Sequence, residues 1–225
     1  MNKKEALVCS KICRLTYVDE YAFRDFQLTA RFENKGTDTQ GVFGVAFDKA
    51  LVIGFRGSEE TGISDWITDL KFIKKNFPFA PKSSGLKVHA GFIEAYSSVR
   101  DAVLEAVKNS EYEEVYCTGH SLGGALAAIC ALDITYVAPD KKVTVYTFGS
   151  PKVGNAAFAE LYHERVPNTI RVVNGSDGVP KVPPGNYHHV GILQEIGEIS
   201  GSFAEILDTV MDHIPNAYIE TLQKL

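Results

Sequence analysis

Residues 113–136 restrict the possible folds more than any other stretch of this chain. "EEVYC" is short and β-prone, while "LGGALAAICALDITYV" is a small-residue apolar run of helical length, so a strand over 113–118 passes into a helix over 122–136. A strand that feeds straight into a helix is half of a βαβ unit, and the helix must then cover one face of a sheet. The tight connection holds Gly119, His120 and Ser121, with Gly123 and Gly124 directly after them. Glycines at such a turn permit backbone conformations and close approaches that a Cβ forbids.

The flanking sequence repeats the alternation. "GVFGVAF" and "ALVIGFRG" on either side of Asp48-Lys49 predict an antiparallel hairpin. Residues 3–14 read as a short helix. "FIEAYSSVRDAVLEAVKN" places Phe92, Ala95, Tyr96, Val99, Val103, Ala106 and Val107 on one helical face. Strand 142–148, helix 155–163, strand 169–174, a strand near 189–194 and a last helix from about Pro215 complete the reading. The fold class is therefore α/β: a mostly parallel central sheet with helices on both faces and an early antiparallel hairpin. In such sheets, sites form beyond the carboxyl ends of the strands. No repeat, low-complexity tract or linker interrupts the 225 residues, so 1–225 is expected to form a single domain.

Composition excludes some functions. A net charge of −5 supplies no basic field of the kind nucleic acid selects, so nucleic-acid binding is set aside. No apolar run is long enough for a transmembrane segment. In the N-terminal "MNKKEALVCSKICRLTY", Glu5, Lys11 and Arg14 break any signal-peptide core. That fits a cytoplasmic chain, export without a standard signal, or a leader already removed. Cys9, Cys13, Cys117 and Cys130 are expected to be reduced, buried, small apolar residues. Their spacing and the lack of neighbouring histidines give no zinc pattern, so no metal and no cofactor is expected.

Ser121 has two readings. As a residue preceding a helix it is a common N-cap. Within G-H-S-L-G, on a strand-to-helix turn, it has the placement of a nucleophile elbow, with the helix N-terminus aimed at charge developing beside it. Three nearby glycines favour the nucleophile, since a cap requires none. A serine nucleophile needs a base, and the base an orienting acid, which in elbow hydrolases follow in the order Ser, Asp or Glu, His. Asp177 ends strand 169–174 in a loop stiffened by Pro180, Pro183 and Pro184; an Asx-turn role competes with an acid role. Three histidines follow it. His188 and His189 head the "HHVGIL" strand, whereas His213 lies in a loop before a helix whose first turn accepts Pro215. His213 is favoured over His189.

Taken together, "IGFRGSEETGISDWITDL", "VHAGFIEAY", "GHSLGGALA", "TFGSPKVGN", "VVNGSDGVPKVPP" and "DHIPNAYI" resemble the class 3 (fungal-type) lipase family of α/β-hydrolases, in order and spacing, from about residue 40 to the C-terminus. The resemblance implies the α/β-hydrolase fold. It also implies Ser121 as nucleophile, Asp177 as acid, His213 as base, and an oxyanion hole formed by Ser58 and the Leu122 N–H. Ser58 lies just past strand 50–56 and Leu122 directly follows the nucleophile, so both placements are chemically sensible. Without the resemblance, Ser58 reads equally well as a loop serine.

After Ser58, Ile63, Trp66, Ile67 and Leu70 fall at i, i+3, i+4 and i+7, an amphipathic helix carrying the chain's one tryptophan. Residue pattern alone fits a helix packed on the core. The resemblance implies a lid, at about 59–73, whose apolar face covers the site and makes transient contact with a lipid interface. The implied chemistry is hydrolysis of carboxylic esters of lipids through an acyl-enzyme, as in a triacylglycerol lipase or carboxylesterase. Alternatives are a phospholipase A1, an aryl-ester (feruloyl-type) esterase, or a non-catalytic hydrolase-like binding module. The chain differs from secreted fungal members in showing neither a leader nor an evident disulfide framework.

Overall fold

A computed structural model describes residues 1–18, 22–58, 72–80, 85–198 and 212–225. In chain order they form α1 (Lys3–Leu15), β1 (Ala22–Phe23), β2 (Phe26–Asn34), β3 (Thr39–Ala46), β4 (Ala50–Phe55), β5 (Lys74–Asn76), β6 (Lys87–His89) and α2 (Ala90–Asn109). There follow β7 (Glu114–His120), α3 (Leu122–Val137), β8 (Lys142–Phe148), α4 (Ala156–Arg165), β9 (Thr169–Asn174), β10 (Ile192–Ile196) and α5 (Pro215–Lys224). An eight-stranded sheet runs β1-β2-β3-β4-β7-β8-β9-β10. Pairing is antiparallel from β1 to β4 and parallel from β4 to β10. Short β5 and β6 pair separately.

Two cores flank this sheet, and alternation along each strand assigns residues to them. Leu51, Ile53, Phe55, Val115, Cys117, Val143 and Val145 pack with α2, α3 and α4. Ala50, Val52, Tyr116, Tyr146, Phe148 and Val172 pack with α1 and α5. Helix α3 is buried on almost all sides, as its lack of a polar stripe requires. The polar exception is Asp133 within it, which accepts from Tyr96 (2.8 Å) and from both sides of the Arg100 fork (2.7 and 3.0 Å), binding α3 to α2. All four cysteines are free and buried.

Several details depart from the sequence reading, which also lacked the short strands β1, β5 and β6. Strand β2 was not anticipated, because its burial alternates weakly and much of it faces solvent. The β3–β4 turn spans 47–49, with Phe47 and Asp48 in the left-handed region (φ 53° and 68°), so the turn begins one residue earlier than Asp48-Lys49. The strand expected near 189–194 is β10, Ile192–Ile196, and His188 and His189 precede it in a loop. The Gly191 N–H, capped by His163 Nε2 at 3.0 Å, delays strand entry, with Gly191 itself at φ 81°. Segment 59–71, which carries Ile63, Trp66, Ile67 and Leu70, lies outside the described residues. Among the described residues, no helix is long and apolar enough to cross a membrane.

Candidate active site

The carboxyl ends of β4, β7, β8 and β9 lie side by side, so four loops converge on one edge. They carry Ser58, Ser121, Gly149 and Asp177 respectively.

Ser121 joins β7 to α3 with φ 55° and ψ −129°, a conformation that costs an L-residue about 1–3 kcal/mol. Backbone contacts hold it there. Ser121 N–H donates to the Phe148 carbonyl of β8 (2.9 Å), and its own carbonyl accepts from Gly124 N–H (2.9 Å). A Cβ on Gly119 would lie 2.0 Å from the Gly123 carbonyl oxygen, and one on Gly123 2.3 Å from that of Phe55. The turn closes only because both are glycines. The Ser121 hydroxyl makes no capping bond to α3, which removes the N-cap reading. Its Oγ is buried with no hydrogen-bond partner among the described residues. Leu122 opens α3, where an N–H has no intrahelical acceptor.

Asp177 follows β9, fully buried, and its carboxylate is saturated. Oδ1 accepts from Val179 N–H (2.9 Å); Oδ2 accepts from His213 Nδ1–H (2.8 Å) and from the Tyr218 hydroxyl (2.5 Å). His213 does not lie in the loop expected from sequence: Asp212 and His213 are helical, separated from α5 by a bend at Ile214. Asp212 Oδ2 accepts from Ser176 N–H (2.7 Å), and the Asp212 carbonyl accepts from the Asn174 side-chain amide (3.1 Å). Because Nδ1–H is committed to Asp177, the lone pair of His213 lies on Nε2, which is buried and unpartnered among the described residues. The structure thus joins Asp177 to His213 and leaves Ser121 Oγ and His213 Nε2 unbonded to each other. None of the hydrogen bonds to Asp177 comes from His189. Burial, followed by Arg171, pushes the His189 imidazole down to about 3.

Residue patterns did not single out three contributors. Tyr218, held well above its ordinary pKa by burial and then by Asp177, remains a phenol that donates to the Asp177 carboxylate while accepting from Asn174 N–H (3.2 Å). Gly149, at φ 59°, sits against the Asp177–His213 pair: an added Cβ would lie 2.6 Å from Asp177 Oδ2 and 2.7 Å from His213 Nδ1. The His120 ring lies 4.4 Å from that of His213. Tyr218 and Gly149 both stand inside the motifs "DHIPNAYI" and "TFGSPKVGN", yet only the tertiary fold reveals what they touch. Among the described residues, no group of three or more His, Cys, Asp or Glu side chains could hold a metal ion.

A parallel sheet with helices on both faces and a serine on a strained strand-to-helix turn defines an α/β-hydrolase. The family model for Lipase (class 3) matches residues 52–187. A lipase of Rhizomucor miehei is 38% identical over 148 residues, 62% of this chain and 39% of that protein. The secreted mono- and diacylglycerol lipase 1 of Fusarium solani is 37% identical, over 60% of this chain and 40% of its own. The solved complex of a two-residue deletion mutant of Rhizomucor miehei lipase with its propeptide superposes with a TM-score of 0.77 at 29% identity, covering 95% of this chain and 74% of that one. The chain belongs to the class 3 lipase family. The two sequence relatives are much longer: the alignments cover about two fifths of their length.

Proposed function

We propose that this protein is a carboxylic ester hydrolase acting on lipid esters, with Ser121 as nucleophile, His213 as base and Asp177 as orienting acid. One observation carries the reading: a buried Asp177–His213 hydrogen bond of 2.8 Å leaves an unpartnered Nε2 in a site that also holds an unpartnered, strained serine hydroxyl. Catalytic hydrogen bonds are commonly long before substrate binds, so the open Ser121–His213 pair is compatible with the role.

In the first half-reaction His213 Nε2 takes the Ser121 proton as Oγ attacks the ester carbonyl. The Leu122 N–H, with Ser58, stabilises the tetrahedral oxyanion. The imidazolium, stabilised by Asp177, then returns the proton to the departing alcohol and leaves an acyl-Ser121. Water repeats the steps to release the acid. Three donors on Asp177 keep the carboxylate fixed in the place where it can hold the His213 tautomer. A lid role for residues 59–73 is part of this proposal, resting on the amphipathic sequence pattern; of these residues only Phe72 and Ile73 are described, and both are about half exposed at 48% and 56%. The name of the Fusarium solani relative, a mono- and diacylglycerol lipase, supports a glyceride substrate.

The test is hydrolysis of p-nitrophenyl esters with short to long acyl chains and of emulsified triglyceride, by wild type and Ser121→Ala. The reading expects long-chain and emulsion turnover, with kcat lowered roughly 10³- to 10⁶-fold in the variant. Turnover surviving Ser121→Ala would reject the nucleophile; turnover confined to short chains would replace lipid esters with soluble ones.

A further inference from the structure

His120 is buried beside the nucleophile, yet the acyl-transfer steps leave it without a task. Its two ring nitrogens are both engaged. Nδ1 lies 3.0 Å from the Tyr17 hydroxyl, and Nε2 is bonded to the backbone carbonyl of His213. The Tyr17 oxygen is in turn 3.0 Å from Gly57 N.

Proton directions along this chain are fixed from both ends. The Gly57 N–H can only donate, so the Tyr17 oxygen accepts from it. The His213 carbonyl can only accept, so His120 Nε2 carries a proton and donates. Burial, and then the neighbouring His213, lower the His120 pKa well below that of an ordinary histidine, so the ring is neutral and Nδ1 is an acceptor. The Tyr17 hydroxyl therefore donates to Nδ1. Each of these three hydrogen bonds therefore pairs a donor with an acceptor in one consistent direction.

The endpoints are functional positions. Gly57 precedes Ser58 and presses on the elbow: an added Cβ would stand 2.5 Å from the His120 carbonyl and 3.0 Å from Ser121 Cβ. At the other end is the backbone of His213 itself. On the site reading above, we propose that Tyr17 and His120 are positioning residues whose relay ties the oxyanion loop at Gly57 to the backbone of the base, setting both relative to Ser121. Tyr17 comes from the region after α1, far from the other members in sequence, so the N-terminal segment is enlisted in the site.

Tyr17→Phe tests this cleanly, because it keeps the ring against Arg56 (5.3 Å) and His120 (6.0 Å) and removes only the hydroxyl. Kinetics on p-nitrophenyl butyrate, normalised to sites titrated with a p-nitrophenyl phosphonate, are expected to show kcat reduced about 10- to 100-fold. KM should stay within about twofold, since misaligned donor and base affect the transition state more than ground-state binding. Histidine nitrogen NMR gives a second readout: wild-type His120 should be the Nε2–H tautomer, and Tyr17→Phe should mix in Nδ1–H. A normalised kcat within about twofold of wild type, with Ser121→Ala inactive, would overturn the relay while leaving the triad in place. An Nδ1–H tautomer in wild type would also overturn it. Turnover surviving Ser121→Ala would remove the site reading and the relay with it.

Discussion

The two halves of the site are built by different means. On the Ser121 side, β7, the elbow and α3 are contiguous in sequence, and backbone packing holds Ser121: two glycines against two carbonyls, and one N–H into β8. On the other side, Asp177 and His213 are 36 residues apart and a side-chain hydrogen bond unites them. The first arrangement is steric and tolerates no added atom. The second is polar and redundant, since Asp177 retains two donors if one is lost. Substitutions on the two sides should therefore fail differently.

The largest effect should come from Gly123→Ala. Alanine gains about 1 kcal/mol of helix propensity over glycine, but its Cβ meets the Phe55 and Arg56 backbone at 2.3 and 2.9 Å. Backbone cannot rotate aside as a side chain can, so the clash wins, with a net loss of about 3 kcal/mol. Urea unfolding should show the fall, with activity lost alongside it. Unchanged stability would mean that steric packing does not hold the elbow.

Tyr218→Phe should be milder. It removes one donor from Asp177 and one acceptor from Asn174, costing about 1–3 kcal/mol of stability. With His213 and Val179 still bonded to Asp177, kcat should fall by less than about tenfold. A loss of 10³ or more in kcat would show that the acid has no redundancy.

His189→Gln should have the smallest effect, and it is seen as acid sensitivity rather than rate. His189 titrates near 3 in the folded chain, below the roughly 6.5 of an unfolded histidine. Stability is therefore complete above about pH 6.5 and lost as pH falls, by up to about 1.4 kcal/mol per pH unit from this one group. The variant should melt closer to wild type's neutral value at pH 5, with turnover at pH 8 retained. Abolished turnover would return His189 to candidacy as the base.

The same contrast explains what could be read from sequence. Parallel strands, elbow and flanking helices were legible because local periodicity and glycine placement encode them, as was the position of Asp177 in the loop after β9. β2 was missed because it is largely solvent-facing, and the start of β10 was misplaced because a histidine-capped glycine turn intervenes. Tyr17, Gly149 and Tyr218 were not singled out for a different reason. Their contacts to His120 and Asp177 span 28 to 103 residues, and no local pattern specifies such a partner.

The most direct test of the central claim is to react the intact protein with a p-nitrophenyl alkylphosphonate and locate the adduct by peptide mass spectrometry. One stoichiometric adduct is expected, on Ser121, with labelling lost in Ser121→Ala and slowed at least about 10³-fold in His213→Ala. An adduct on another residue, or labelling at wild-type rate without His213, would contradict it.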